Sequence, residues 1–367
     1  MQPRCVAVTR VREFVAAAGR ADHFITGKER QSMATNPTVV FTAPRKAVVE
    51  DRPIPKPGEG QMLVKARRTL ISTGTELTIF KGEFPKDGGW AAWAKFPFVP
   101  GYSHIGDVME VGPGVDKSWI GKRVGSYAEH GLYMLAGLPK VWPVPDGVSD
   151  DVASFFVIAQ ITINCVRRGR TEWGESAVVY GLGLVGQFIV RELLIAGARP
   201  VIAVDVAESR LRLLPGHKAL IAVNPKKESV KEAVTRATKG RMADMVYEVT
   251  GAQSLIQGEF EALRPLGRFI VASSPSGPSV FDFSDYCNAP SFEIIGAHTS
   301  SAGDVETPYH LWTRTRNAEL FFNTVLDGEI DVEPLVSHRE PYAKAPELYQ
   351  MLLEDRSRAM GVILEWD

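Results

Sequence analysis

Only three cysteines, Cys5, Cys165 and Cys287, occur in 367 residues, and no two share a short spacing. That excludes a disulfide framework and a four-cysteine zinc lobe, and it fits a reducing cytoplasm. Charge of one sign is also missing: 42 Lys and Arg stand against 43 Asp and Glu, a formal net charge of −1. No basic stripe with interleaved aromatics appears, so there is no footprint for nucleic acid. No apolar run approaches the roughly 18 to 20 residues that a bilayer span requires, and no membrane partner is expected. Repeats and low-complexity tracts are absent too. What is present is the composition of an ordinary globular chain, 45 % hydrophobic and 23 % charged, long enough for two domains with a core each.

Residues 1–32 stand apart. Arg4, Arg10, Arg12, Arg20 and Arg30 punctuate small apolar residues, as in a targeting peptide, but Glu13, Asp22 and Glu29 argue against one. An extension with little structure of its own is expected there.

From Thr38 to about Pro145 the pattern is β. Short runs such as Val39-Val40-Phe41 and Met62-Leu63-Val64 are separated by clusters such as Pro53-Ile54-Pro55-Lys56-Pro57-Gly58. At Ser149 or Asp150 a helix is capped, and strands then alternate with helices: Ala177–Tyr180, Val201–Val204, Leu220–Val223, Met245–Val249, Phe269–Ala272 and Glu293–Ile295. Six such strands predict a doubly wound parallel sheet. The segment from about Ser300 returns to mixed patterning and closes on the apolar run Gly361 to Trp366, placed to rejoin the first domain.

The sharpest signal lies between the first two strands of that series, in Tyr180-Gly181-Leu182-Gly183-Leu184-Val185-Gly186. Gly181 permits a tight turn, Gly183 leaves room for a pyrophosphate, and Gly186 lets the next helix pack closely on the sheet. The helix aims N–H groups and partial positive charge at the same place, with Leu184 and Val185 in its first turn. Asp205 follows 22 residues after Gly183, where a carboxylate accepts ribose hydroxyls and repels a 2′-phosphate, so NAD is expected over NADP. Arg210 either flanks the adenine or is a solvated helix charge. Thr250, Gly251, Ser273 and Ser274, after the next strands, are placed at the carboxyl edge where such sheets bind ligands, and His298 and Thr299 follow another strand.

A β domain, an inserted dinucleotide fold and a C-terminal return resemble the medium-chain dehydrogenase/reductase superfamily over nearly all of residues 34–367. The resemblance is carried by Ile71-Ser72-Thr73-Gly74-Thr75-Glu76, Pro100-Gly101-Tyr102-Ser103, Glu110-Val111-Gly112, the Gly181 turn, Glu248-Val249-Thr250-Gly251 and Gly267-Arg268. It implies a GroES-like β-barrel catalytic domain over 33–155 and 300–367, a Rossmann domain over 156–299, and a homodimer joined through the strand Phe292-Glu293-Ile294-Ile295. It also implies that Thr162 approaches the nicotinamide edge.

The chain departs from the zinc-dependent pattern of that superfamily. Ser72 or Thr73 stands where a cysteine is expected, and Tyr102 and Ser103 replace a His-Glu pair. No cysteine falls near Phe156 to Ile161. Hydroxyls hold zinc poorly, so no catalytic zinc is expected. The two loop motifs look most like a zinc-free branch that includes bacteriochlorophyllide hydroxyethyl dehydrogenases.

Without a Lewis acid, an alkoxide needs hydrogen-bond donors and its proton an acceptor. Tyr102 is a candidate donor, or else an aromatic plug in the vacated site. His104 relays a proton or is a structural histidine. Glu76 acts as a base, binds a substrate hydroxyl, or pairs with a nearby Arg or Lys; Ser72, Thr73 and Thr75 donate to the same oxygen or bond within turns. The aromatics Phe80, Phe84, Trp90, Trp93, Phe96 and Phe98 form core or line a pocket for a bulky substrate, and Gly88-Gly89 beside them reads as a flap. The expected activity is hydride transfer between NAD(H) and a secondary alcohol or ketone of a sizeable small molecule: a polyol, a sugar derivative or a tetrapyrrole side chain. A quinone or enoyl reductase and a non-catalytic nucleotide-binding or structural protein are the alternatives.

Overall fold

The computed structural model describes residues 35–275 and 277–367, so the extension expected over 1–32 lies outside the described residues. The β-rich first part gives β1 (Asn36–Ala43), β2 (Lys46–Arg52), β3 (Gln61–Ile71), α1 (Thr75–Lys81), α2 (Gly89–Trp93), β4 (His104–Val111), β5 (Arg123–Ser126), β6 (Tyr133–Gly137) and β7 (Val141–Pro143). Two helices follow, α3 (Asp150–Ala153) and α4 (Phe156–Arg168). Ser149 caps α3, its hydroxyl accepting the Val152 N–H at 3.2 Å.

The middle of the chain alternates as its pattern requires: β8 (Ala177–Tyr180), α5 (Leu184–Ile195), β9 (Val201–Val204), α6 (Glu208–Leu211), β10 (Leu220–Val223), α7 (Val230–Ala237), β11 (Ala243–Glu248), α8 (Ile256–Glu259), β12 (Leu263–Val271) and β13 (Glu293–Gly296). The return adds α9 (Arg314–Leu326), β14 (Val336–Pro341), α10 (Ala345–Glu354) and β15 (Gly361–Glu365).

Strands β8 to β13 form one parallel sheet in the order β10-β9-β8-β11-β12-β13. Continuous apolar runs such as Val201-Ile202-Ala203-Val204 are buried along their whole length, because helices cover both faces. The order reverses direction between β8 and β11, which opens the crevice where ligands bind in such sheets. β12 starts six residues before the expected Phe269. Leu266, at φ +62°, and its neighbours are accommodated by a register shift against β11, which the pattern of Pro265 and Gly267 disguised as a break.

A second sheet of seven strands takes β3 to β7 from the first part and β14 and β15 from the return. β15 lies antiparallel to β3, with Val362 opposite Ile71, so the apolar C-terminal run does rejoin the β domain. Together the two sheets form a GroES-like domain beside a Rossmann-like sheet.

One core ties them to each other. Leu70, Ile105, Phe156, Leu184, Phe188 and Phe321 are buried together, drawn from β3, β4, α4, α5 and α9. Gly125 on β5 is required there, since a Cβ would sit 2.9 Å from the Phe156 ring. Phe80 is buried core, and Phe84, Trp90, Phe96 and Phe98 pack against the same cluster; Trp93 alone of the six is half exposed. Gly89, expected in a flap, opens helix α2.

Candidate active site

The glycine turn leaves β8 as its spacing predicts. Gly181 adopts φ +92°, where a Cβ would lie 3.0 Å from the Thr250 backbone nitrogen. Gly186 is pressed against the turn itself, its would-be Cβ 1.9 Å from the Gly181 carbonyl oxygen. Gly183 caps α5 and has nothing within 4 Å of the same position, so space is open where a phosphate would approach the helix N-terminus. Leu184 buries its side chain in the shared core, so the helix offers its backbone there and not that side chain.

Asp205 directly follows β9 beside this turn. One carboxylate oxygen accepts the Leu182 N–H and the other the Ala207 N–H, both at 2.8 Å. Arg210 approaches at 3.4 Å and also donates to the Arg356 carbonyl, so it is an ion-pair partner of Asp205 as well as a helix charge. The acid is thereby held in place, and Oδ1, which accepts only the Ala207 N–H, keeps a lone pair for a ribose hydroxyl.

Across the crevice, the hydroxyls of Thr250 and Ser273 both donate to Glu248, as does the Gly251 N–H at 2.7 Å. Glu248 entered the sequence reading only as part of the motif Glu248-Val249-Thr250-Gly251, with no role of its own. The available signal was an acid closing the run Met245-Val246-Tyr247, and the fold buries it completely. Ser274 is exposed at the same edge. Glu259 is 3 % exposed, and among the described residues neither of its oxygens has a partner. Burial, then the Glu248 charge, pushes its carboxyl up to about 9, which keeps it protonated.

Thr162 corrects an expectation. Its hydroxyl bonds back to the Ile158 and Ala159 carbonyls, as threonines inside helices do, and reaches Glu192 on α5 at 2.6 Å. It therefore binds helix to helix and does not point its hydroxyl at a nicotinamide. Burial raises Glu192 well above the carboxylate range.

The two loops of the β domain meet as expected. The Tyr102 hydroxyl donates to Ser72 Oγ, and burial pushes the phenol up to about 12, so it is a neutral donor and no base. Ser103 is anchored to the Ser154 carbonyl, which fixes the Tyr102 loop to the end of α3. Thr73 stays partly exposed in the turn before α1.

Among the described residues no Arg or Lys pairs with Glu76. It accepts the Ser72 N–H at 2.9 Å, His130 Nε2 at 3.1 Å and the Tyr349 hydroxyl, all buried. Its expected ion pair is replaced by a histidine and a tyrosine that no sequence spacing connected to it. Of the two alternatives for His104, burial fits the structural one: the side chain is fully buried at the start of β4, and desolvation lowers it to about 4. A fully buried, neutral imidazole has no contact with solvent to which it could relay a proton.

The chain matches the family model of the alcohol dehydrogenase GroES-like domain over residues 58–154 and that of the zinc-binding dehydrogenase over 185–312. With both models in this order on this pair of sheets, the chain belongs to the medium-chain dehydrogenase/reductase superfamily. Among its relatives, the L-threonine 3-dehydrogenase of Pyrococcus horikoshii is 23 % identical over 82 % of this chain and 90 % of its own length. The D-guloside 3-dehydrogenase of Escherichia coli K12 is 25 % identical over 88 % and 99 %. The structure of the alcohol dehydrogenase rspB from E. coli CFT073, complexed with NADH, superposes with a TM-score of 0.76 at 19 % identity, covering 90 % of this chain and 99 % of that one.

The name of the second matched domain implies zinc, and the donor set can be tested against it. Zinc takes thiolate, imidazole or carboxylate ligands. At the two loops stand Ser72, Thr73, Tyr102 and Ser103; the phenol is held protonated, and the Ser103 hydroxyl is committed to a carbonyl. Glu76 and His130 are turned onto each other. Among the described residues no group of three His, Cys, Asp or Glu is placed to hold a metal ion. These side chains do not fit a catalytic zinc.

Proposed function

We propose that this protein is a zinc-independent oxidoreductase of the alcohol dehydrogenase type, transferring a hydride between NAD(H) and a secondary alcohol or ketone of a sizeable small molecule. The single observation that carries the reading is the pairing of a dinucleotide crevice, closed by Asp205, with a neutral hydroxyl pair, Ser72 and Tyr102, in place of metal ligands.

The dinucleotide, when bound, supplies or receives the hydride. The first-turn N–H groups of α5 hold its pyrophosphate, and Asp205 takes the adenosine ribose hydroxyls, which favours NAD over NADP. Gly251 and Ser274 line the opposite edge with backbone and hydroxyl groups. Tyr102 passes its hydrogen bond to Ser72, so the Ser72 hydroxyl proton is free to point at a substrate oxygen. Two hydroxyls in series polarise a carbonyl and steady a developing alkoxide through neutral hydrogen-bond donors.

The loop wording supports a place in the zinc-free branch that resembles bacteriochlorophyllide hydroxyethyl dehydrogenases. A polyol, a sugar derivative or a tetrapyrrole side chain is the substrate class that reading favours. The same neutral donors would serve the carbonyl of an enone or quinone, which keeps the reductase as the second reading; Asp205, facing a 2′-phosphate, weighs against its usual NADPH. The exposed edge of β13, with Ile294 42 % exposed, supports a homodimer. A cytoplasmic location fits cysteines that have no disulfide spacing.

The test is a screen of NAD reduction and NADH oxidation against polyols, sugars, hydroxyethyl tetrapyrroles, quinones and enones, with and without chelator. Turnover of an alcohol that ignores the chelator is expected. Chelator-sensitive turnover, or metal bound in stoichiometric amount, would refute the zinc-free reading; NADH binding without turnover of any class would point to a non-catalytic protein.

A further inference from the structure

Glu76 is an expensive residue where it stands. A carboxylate 1 % exposed, with no Lys or Arg among the described residues paired to it, is tolerated only when donors surround it. Here three separate segments supply them: the Ser72 N–H from its own turn, His130 from the loop after β5, and Tyr349 from α10. A carboxylate only accepts, so His130 Nε2 and the Tyr349 oxygen both carry their protons toward it. A leucine would fill the same volume without any of this.

We propose that Glu76, clamped by His130 and Tyr349, is a positioning residue that fixes the Ser72–Tyr102 hydroxyl pair in the geometry its reaction needs. The proposal rests on the functional reading above. Its argument is a continuous chain of contacts: Tyr349 and His130 hold one carboxylate oxygen, the other holds the Ser72 backbone, and Ser72 Oγ receives the Tyr102 hydroxyl. The Ser72 side chain cannot drift while its own N–H is tied down. The connection is electrostatic as well, since the Glu76 charge adds to burial in keeping the Tyr102 proton on its oxygen. The alternative is that the cluster merely stabilises the barrel, and the two roles separate by measurement.

The experiment uses the full chain. In Glu76→Gln the amide can still accept the Ser72 N–H, but it turns an NH₂ toward two donors. Tyr349→Phe removes one donor and leaves the carboxylate. For Glu76→Gln, kcat should fall by roughly 10- to 100-fold, the loss typical of a misplaced reacting group, while KM for NADH stays within about twofold. Tyr349→Phe should lose less, and it carries the test if Glu76→Gln does not fold. Tyrosine labelled with ¹³C at Cζ provides a readout independent of turnover: the Tyr102 resonance, assigned by its loss in Tyr102→Phe, should shift in both variants.

Folded variants with an unmoved Tyr102 resonance and wild-type kcat would overturn the proposal. So would a loss in which KM for NADH rises along with the fall in kcat, because that is the mark of general loosening. A wild-type protein that turns over nothing, yet shows the Tyr102 shift in Glu76→Gln, would refute the functional reading and leave the positioning intact.

Discussion

Glu259 makes the protein less stable than it need be, and replacing it with glutamine should show by how much. The native carboxyl sits at about 9 against an ordinary 4.5, with both oxygens buried and, among the described residues, unpartnered. Above pH 4.5 the unfolded chain releases this proton while the native state keeps it, so the unfolded state binds fewer protons and stability falls as pH rises, until the native group ionises near 9. At pH 7 the gap from 4.5 costs about 3 kcal/mol at about 1.36 kcal/mol per unit. A glutamine side chain at this position is neutral in both states and carries no such cost. With an unfolding entropy of about 2.1 cal/mol/K per residue, the gain corresponds to a Tm rise of about 4 °C at pH 7 and under about 1 °C at pH 5. Scanning calorimetry of wild type and Glu259→Gln across pH 5 to 8.5 measures it. A Tm difference that does not grow with pH would refute the reasoning, and Glu259 would then have to be ionised and solvated in the native state.

His104 gives the opposite slope. Its imidazole is held near 4 against 6.5, so the unfolded chain takes up the proton first, and about 3 kcal/mol should be lost between pH 6.5 and 4; urea melts of wild type and His104→Gln at pH 7 and 5 should converge for the variant. Gly186→Ala drives a methyl into the Gly181 carbonyl and should weaken NADH binding by more than about tenfold, measured by titration calorimetry, as the helix is pushed off the turn. Asp205→Ala should cost NAD affinity by about tenfold or more and narrow its advantage over NADP, since one hydrogen-bonding carboxylate is worth about 1.5 to 3 kcal/mol; unchanged preference would remove Asp205 from the ribose site.

The parallel sheet was legible because buried parallel strands leave short continuous apolar runs, and five of the six fell within two residues of where the pattern put them, while β12 began six residues early. The glycine turn was legible for a related reason: each of its three glycines answers a local steric demand. Contacts between distant segments were not. His130 and Tyr349 lie 54 and 273 residues from Glu76, so no window of sequence could show that the acid would find them instead of an Arg or Lys. The directions of hydroxyls escaped as well. The Thr162 oxygen follows the local backbone and Glu192, Thr250 turns back to the Glu248 carboxylate two residues before it, and Ser273 reaches the same carboxylate only through the fold.

The seven-stranded sheet is stitched from both ends of the chain, and this sets a timetable for synthesis. Thr69 on β3 waits 297 residues for Trp366, whose indole bonds to it beside β15. At ribosomal speeds of about 5 to 20 residues per second, the Arg68–Ile71 stretch of β3 lacks its β15 partner for about 15 to 60 s, while the nucleotide-binding sheet is made and able to fold whole. The older half of the polypeptide is therefore the last to be finished, and through that interval it offers an apolar edge that a holdase could cover or another nascent chain could pair with.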